Sequence, residues 1–259
     1  MYKRQECIQR IKIYAVIRSL TGAVINTGKE ADTYTIEIKI GEIRLRVVIG
    51  ADVGNCAGKG VLRGDFGGER FARHARQNPL IADSFKRLAE RHRDEFNIPI
   101  VGITGSNGKT MVKEWLYQLL SPSMFVTRSP RSYNSQIGVP LSVWLMNEQT
   151  QVGVFEAGIS MPGEMLALRD IIQPTIAVLT SLGAAHQENF SSMEEKCREK
   201  LILFHDAETV IYDGDDEVIN KVIAEYPDYK GEKLFWSLKN AEAPFYVKNI
   251  EKQQSVTVI

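Results

Sequence analysis

The residue types best placed to do chemistry lie together in Val101–Thr110, VGITGSNGKT. An apolar segment, Ile98-Pro99-Ile100-Val101, runs into a glycine turn that ends in Gly108-Lys109-Thr110, and Met111–Leu120 (MVKEWLYQLL) reads as an amphipathic helix. Strand, glycine-rich loop, Lys-Thr and helix is the arrangement that wraps a polyphosphate. Loop N–H groups and the positive end of the helix face the anion, the lysine reaches the outer phosphates, and the threonine hydroxyl is a ligand for Mg²⁺. Gly105, Ser106, Asn107, Gly108, Lys109 and Thr110 are therefore the candidate nucleotide contacts. The spacing departs from G-x-x-x-x-G-K-[ST], which would place its first glycine at Ile103; Gly105 gives the tighter G-x-x-G-K-T instead. An ordinary strand-to-helix turn is the alternative. Glycines, lysine, threonine and both flanking elements agree on phosphate.

The elements that must position this loop begin at Asn78, where the texture of the chain changes. Pro79 opens a helical stretch, with Leu80, Ile81, Phe85, Leu88 and Ala89 at helical spacing, that ends near Phe96. Beyond the loop, strand patterns at Met124–Arg128, Val152–Ala157, Thr175–Leu182, Thr209–Asp213 and Lys233–Trp236 alternate with helix patterns at Gln136–Asn147, Pro162–Ile172, Ser192–His205 and Asp216–Glu225. Such alternation predicts an α/β fold, a doubly wound, mostly parallel sheet with helices on both faces, whose ligands sit beyond the carboxyl ends of the strands. Glu156 ends one strand pattern, as a Mg²⁺ ligand should, although a capping carboxylate would stand there too. His186 follows another across Leu182-Gly183-Ala184-Ala185, with Glu188 two residues on. Asn134 precedes a helix, where a cap or turn is its bland role. Lys200 lies on the helix after His186, where a solvated lysine is the default.

The whole chain sets the bounds. Its 259 residues suffice for one large domain or two small ones, and 44% hydrophobic with 25% charged residues is a globular composition. Lys+Arg 32 against Asp+Glu 32 leaves no net charge, so nothing suggests a nucleic-acid surface. No apolar run approaches the ~20 residues that span a bilayer, and MYKRQECIQRIKIY has no signal-peptide core. Cys7, Cys56 and Cys197 form neither a close pair nor a metal-ligand spacing, which fits reduced thiols in the cytoplasm. Residues 1–78 read as a separate small region. Tyr34, Ile36, Ile38 and Ile40 alternate, and after Gly41-Glu42 the alternation resumes at Ile43, Leu45, Val47 and Ile49, which predicts a β-hairpin. Gly50–Gly68 carries seven glycines and reads as loop; its Ala57-Gly58-Lys59-Gly60 lacks the Ser/Thr and helix that a second phosphate loop needs.

From about Pro79 onward the chain resembles the Mur ligases, ATP-dependent amide-forming enzymes of peptidoglycan precursor synthesis. Thr104-Gly105-Ser106-Asn107-Gly108-Lys109-Thr110 looks like that family's short phosphate loop. Three further phrases carry the resemblance: Tyr133-Asn134-Ser135-Gln136-Ile137-Gly138-Val139-Pro140, Phe155-Glu156-Ala157-Gly158 through Pro162-Gly163-Glu164, and Gly183-Ala184-Ala185-His186-Gln187-Glu188-Asn189-Phe190. They are most similar to the branch of the family that joins D-alanyl-D-alanine to UDP-N-acetylmuramoyl-tripeptide. The resemblance implies that Gly105 to Thr110 hold ATP phosphates, that Asn134 contacts the phosphate region, and that Thr110 with Glu156 holds one Mg²⁺. It also implies that His186 holds a second Mg²⁺ together with Lys200, fourteen positions on, as a carbamate. Carbamylation turns a cation into the oxygen ligand that hard Mg²⁺ prefers. Lys109, Asn134, His186 and Lys200 are then the catalytic set.

The reaction implied is attack of a substrate carboxylate on the γ-phosphate, followed by attack of an amine on the acyl phosphate. Two departures bear on it. Residues 1–78 do not match the family's UDP-sugar domain, and Ile259 stops before the glycine-His-Asn stretch and C-terminal domain that complete the family's enzymes. The chain is accordingly expected to be most of an ATP-binding central domain, 79–259, inactive alone, with the C-terminal domain supplied by a longer protein. Another Mur-type or a folylpolyglutamate-synthase-like ligase, and an inactive nucleotide-binding fragment, are the alternatives. A kinase or GTPase would want the longer glycine spacing and, for GTP, an N-K-x-D that the chain lacks.

Overall fold

The computed structural model describes residues 24–30, 33–40, 43–50, 79–226, 229–247, 251–252 and 257–258. In chain order, three antiparallel strands come first: β1 (Val24–Glu30), β2 (Thr33–Ile40) and β3 (Ile43–Gly50). Ile40 pairs with Ile43, so β2 and β3 form the hairpin that the alternation predicts. β1 pairs with β2 from Val24↔Lys39 to Glu30↔Thr33, and its VINTGKE has too little alternation to announce a strand. Cys7, Cys56, Ala57–Gly60 and the expected boundary at 78 lie outside the described residues.

The rest of the described chain winds a second sheet. Helix α1 (Pro79–Asp94) opens on its proline, which needs no N–H there. There follow β4 (Ile100–Thr104), α2 (Lys109–Leu120), β5 (Val126–Arg128), α3 (Gly138–Val143), β6 (Val152–Glu156), α4 (Glu164–Ile172), β7 (Ile176–Leu179), α5 (Met193–Leu201), β8 (Thr209–Asp213), α6 (Glu217–Ala224), β9 (Glu232–Ser237) and β10 (Phe245–Tyr246). The pairs β11 (Glu251–Lys252) and β12 (Thr257–Val258) form a separate ladder. The large sheet has seven strands in the order β10-β9-β8-β7-β4-β6-β5, and every pair is parallel. Every residue of β4, β6 and β7 is buried, as parallel strands covered on both faces require.

Two apolar layers hold this sheet. On one side Ile100, Phe155, Ala177, Leu179, Val210 and Tyr212 pack with Ala89, Val143, Leu168, Cys197 and Val222 from α1, α3, α4, α5 and α6. On the other, Val101, Ile103, Val154, Val178 and Ile211 pack with Val112, Leu116, Leu119 and Leu120 of α2. Neighbouring residues of one strand fall in opposite layers, the period of two that a strand imposes. Each such fully buried aliphatic or Phe side chain contributes roughly 1.5–3 kcal/mol.

Local signals set the helix ends. Ser192 Oγ accepts from Glu195 N at 3.1 Å, and Asp216 Oδ1 accepts from Val218 N and Ile219 N at 3.0 Å, so both residues cap the helices they precede. Helix α3 is shorter than the expected Gln136–Asn147: beyond Val143 the bonds tighten to Leu145 N–Ser142 O at 3.2 Å and Met146 N–Val143 O at 3.0 Å. Asn147 and Thr150 then close a turn of their own, Thr150 N donating to Asn147 O at 2.8 Å and Asn147 N to Thr150 Oγ1 at 3.0 Å. At the end of α4, buried Arg93 donates to Ile172 O and Gln173 O, both at 2.9 Å, and to Phe96 O at 2.7 Å. Its cation thus sits on the negative end of that helix.

From β4 the chain moves to β5 and β6 on one side, then returns to β7 on the other. That reversal opens a crevice at the carboxyl end of β4, where the glycine loop begins. Among the described residues no helix is long and apolar enough to cross a membrane.

Candidate active site

The loop after β4 takes a conformation that its glycines permit. Gly105 has φ 138°, and a Cβ there would stand 2.0 Å from Thr180 Oγ1 and 3.0 Å from the Ser181 nitrogen, so a side chain has neither the dihedral nor the room. Gly108, at φ 83°, precedes α2. The loop is stitched to the segment after β7. Ser106 N donates to Ser181 O at 2.8 Å, Thr180 Oγ1 donates to Asn107 O at 2.6 Å, and Gly183 N donates to Ser106 Oγ at 2.9 Å. No side chain caps α2 and no acidic residue stands in its first turn. The unsatisfied N–H groups at its positive end therefore remain available to an anion.

Lys109 and Thr110 open that helix. Lys109 Nζ donates to Gly105 O at 2.7 Å, closing the loop on itself. Burial holds its pKa below the usual lysine range, partly offset by the nearby charge of Glu156. Thr110 Oγ1 donates to Glu156 Oε2 at 3.1 Å. Glu156 ends β6 and is fully buried; its backbone N–H donates to Ser129 Oγ at 3.1 Å. Its other oxygen, Oε1, has no hydrogen bond, but Lys113 Nζ lies 2.9 Å away as an ion pair out of hydrogen-bond alignment.

A cavity of about 350 Å³ opens at these strand ends, and its lining includes Gly105, Ser106, Lys109, Asn134, His186 and Lys200. Asn134 lies against β6's exit: Gly158 N donates to its carbonyl at 2.7 Å, and a Cβ on Gly158 would come within 2.9 Å of Asn134 Cγ. It is thus placed by a close backbone approach rather than as a helix cap. His186 is exposed and left-handed at φ 58°, and leads into the 3₁₀ turn Gln187–Asn189. Lys200 projects from α5 and is 3% exposed. Burial foremost, then repulsion from Lys109 and Lys196, brings its pKa down to about 7. Asn107, Gly108, Thr110 and Glu156 adjoin the same loop and strand end without lining that cavity. The structure thus gathers the residues expected from sequence at one end of the sheet.

Four residues of the site give little warning in the sequence. Lys113 is fully buried beside Glu156, four residues after Lys109 and so one turn along the same helix; a lysine in the apolar stripe with Leu116 and Leu120 is its signal. Lys196, also buried, donates to Gly183 O at 2.6 Å and holds the loop that carries His186. Thr180 clamps the phosphate loop, as above. Glu164 Oε2 accepts from Ser160 N at 2.6 Å and Met161 N at 2.9 Å, shaping another wall of the cavity. A larger groove of about 950 Å³ lies at the other end, where β8 and β9 begin. It is lined by Leu201, Phe204, Ile223 and Tyr226 and holds none of the expected site residues, so the smaller cavity is the candidate site.

Among the described residues no three His, Cys, Asp or Glu side chains cluster around a metal position. One carboxylate whose Oε2 is turned toward a threonine hydroxyl, beside the glycine loop, nonetheless fits Mg²⁺, which takes one or two carboxylates and completes its shell with water and phosphate oxygens.

A parallel, doubly wound sheet with a glycine-rich Lys-Thr loop at its switch point defines a phosphate-loop α/β domain. The chain belongs to the Mur ligase family: residues 103–259 match the Mur ligase middle domain. It is 32% identical over 139 residues to the UDP-N-acetylmuramoyl-tripeptide–D-alanyl-D-alanine ligase of Bacillus subtilis, a match covering 52% of this chain and 30% of that protein. The same-named ligase of Borreliella burgdorferi is 39% identical over 117 residues, 45% of this chain and 22% of its own length. Among solved structures, the MurF ligase of Thermotoga maritima in complex with ADP superposes with a TM-score of 0.61 at 28% identity, over 68% of this chain and 41% of that one. The chain therefore spans less than half the length of each of these relatives.

Proposed function

We propose that this chain is the ATP-binding part, residues 79–259, of a cytoplasmic ligase that joins D-alanyl-D-alanine to UDP-N-acetylmuramoyl-tripeptide through an acyl phosphate. The carrying observation is the single cavity into which Gly105, Lys109, Asn134, His186 and Lys200 converge. The names of the relatives support the substrates, and the ADP complex of the Thermotoga maritima ligase supports the nucleotide.

On this reading the amides at the start of α2 hold phosphate oxygens. Lys109 exchanges its bond to Gly105 O for the outer phosphates, where its charge offsets the negative charge that develops as the acceptor carboxylate attacks the γ-phosphorus. ADP leaves, the amine of D-alanyl-D-alanine attacks the acyl carbon, and phosphate departs as the amide forms. Asn134 orients the phosphate region. Bound Mg²⁺ would neutralise phosphate oxygens, one ion held by Thr110 and Glu156 and a second by His186 with carbamylated Lys200. With its pKa brought down to about 7, Lys200 presents far more of the neutral amine near neutral pH than an ordinary lysine does, and that is the form that reacts with carbon dioxide.

Titration calorimetry with ADP and Mg²⁺ tests the site. The chain is expected to bind, and Lys109→Ala to abolish binding; equal affinity in the variant would sink the phosphate-loop reading. Nucleotide binding without ADP release from ATP, on adding both substrates to the protein carrying every domain of the ligase, would leave a nucleotide-binding unit that does not ligate.

A further inference from the structure

Glu156 takes a carboxylate into the interior with no contact with water, and its two oxygens keep different company. Oε2 accepts from Thr110, which faces the phosphate loop, whereas Oε1 has Lys113 Nζ at 2.9 Å and no hydrogen bond. Lys113 is held on its other side as well. Its ammonium donates to the Arg131 carbonyl and lies 3.1 Å from Glu114 Oε1, and Glu114 is paired in turn with Arg128 at 3.0 Å. Those anchors come from polypeptide, so the cation stays when nucleotide enters or leaves.

A buried carboxylate with no counter-charge costs several kcal/mol. Lys113 supplies that counter-charge from the chain itself. A divalent ion approaching Oε2 meets a carboxylate neutralised by Lys113, and Lys109 stands near as a second cation. Its entry becomes favourable only when it brings anions of its own, and phosphate oxygens are the anions the loop is shaped to admit.

We propose that Lys113 is an internal cation that occupies Glu156, so that this carboxylate takes a divalent ion only together with nucleotide phosphate. The inference rests on the metal reading of Thr110 and Glu156 given above and adds an order of assembly: metal and nucleotide enter as one complex. Lys113 is a positioning residue here, pinning Oε1 so that Oε2 is the oxygen turned toward Thr110.

Mn²⁺ serves as the probe, with the free ion measured by electron paramagnetic resonance in titrations of the full chain. Without nucleotide the wild-type protein should leave millimolar Mn²⁺ free, and with ADP it should bind the ion. Lys113→Gln, which removes the charge and retains a donor for the Arg131 carbonyl, should bind Mn²⁺ without nucleotide about tenfold more tightly or better, while Lys113→Arg should behave as wild type. Adding Glu156→Gln to Lys113→Gln should erase the gain. Wild-type protein that binds Mn²⁺ equally with and without ADP overturns the proposal whether or not any variant folds. So does a cooperatively folded Lys113→Gln with no gain, or a gain that survives Glu156→Gln. Failure of the wild type to bind Mn²⁺ even with bound ADP would instead bring down the metal reading itself, and this inference with it.

Discussion

Lys200 enters the fold with its ammonium stripped of water, and Lys109 and Lys196 add two positive charges nearby. Its pKa falls from the ordinary 10.5 to about 7, burial being the larger cause. Below pH 7 the amine is protonated in both folded and unfolded chains, and the folded state carries the whole cost of burying the charge. Above pH 10.5 it is neutral in both, and the cost is gone. In between, the unfolded chain binds more protons, so this residue makes stability rise with pH. Each pH unit across the gap is worth about 1.4 kcal/mol, which sets a ceiling of about 5 kcal/mol; relaxation and water at the cavity mouth reduce this to ~2–3 kcal/mol. Lys200→Met keeps the stem and removes the charge, and Lys200 gives up no hydrogen bond among the described residues. The variant should therefore be more stable than wild type by ~2–3 kcal/mol at pH 6, with the advantage shrinking to ~1 kcal/mol at pH 9. Urea unfolding of both proteins in carbon dioxide-free buffer measures it. Lys109 and Lys196, also held low by burial, titrate in both proteins, so the difference reads the burial of Lys200 together with its repulsion of those two cations. A variant destabilised equally at pH 6 and pH 9 would refute the reasoning, since the ammonium would then have a partner worth keeping.

Gly105→Ala forces a Cβ to 2.0 Å from Thr180 Oγ1 at φ 138°, and should cost roughly 2–3 kcal/mol in thermal unfolding together with ADP affinity; an unchanged melting temperature would mean that the loop has another conformation. Cys197, fully buried, has its thiol pushed up to about 12, chiefly by burial. Peptide mapping after maleimide treatment at pH 8 should find it unmodified in the native chain and modified in urea, and rapid native labelling would refute its burial.

The parts of this molecule that announce themselves in sequence are those whose determinants are local. Thr209–Asp213 has the same bounds in sequence and structure because an apolar run buried on both faces needs no partner to identify it. The turn at Gly105 through Thr110 is legible because its glycines, lysine and threonine stand side by side between a strand and a helix. The placement of Glu156 and His186 beyond the carboxyl ends of parallel strands follows one step later, from the strand patterns that precede them. Strand β10 has two residues and offers no period to detect, and α3 gives way after Val143 to tighter three-residue bonds that an apolar spacing does not distinguish from a helix.

The lysines are the instructive failure. In MEEKCREKL a hydrophobic stripe places lysines outward, yet Lys196 and Lys200, four residues apart and so on one face, are both buried there beside Cys197 and Leu201. Lys113 is buried on α2 for a partner on a strand more than forty residues away, which no local window contains. An inward lysine costs stability, so its position makes sense where something recovers the cost. Here Lys113 consumes the charge of Glu156. Lys109 and Lys196 then both repel Lys200, so three cations crowd the described site. A polyphosphate entering it satisfies the open end of α2 and relieves that repulsion together. On the proposed reading, the charge pattern that costs the fold stability is the same one that gives the nucleotide its hold.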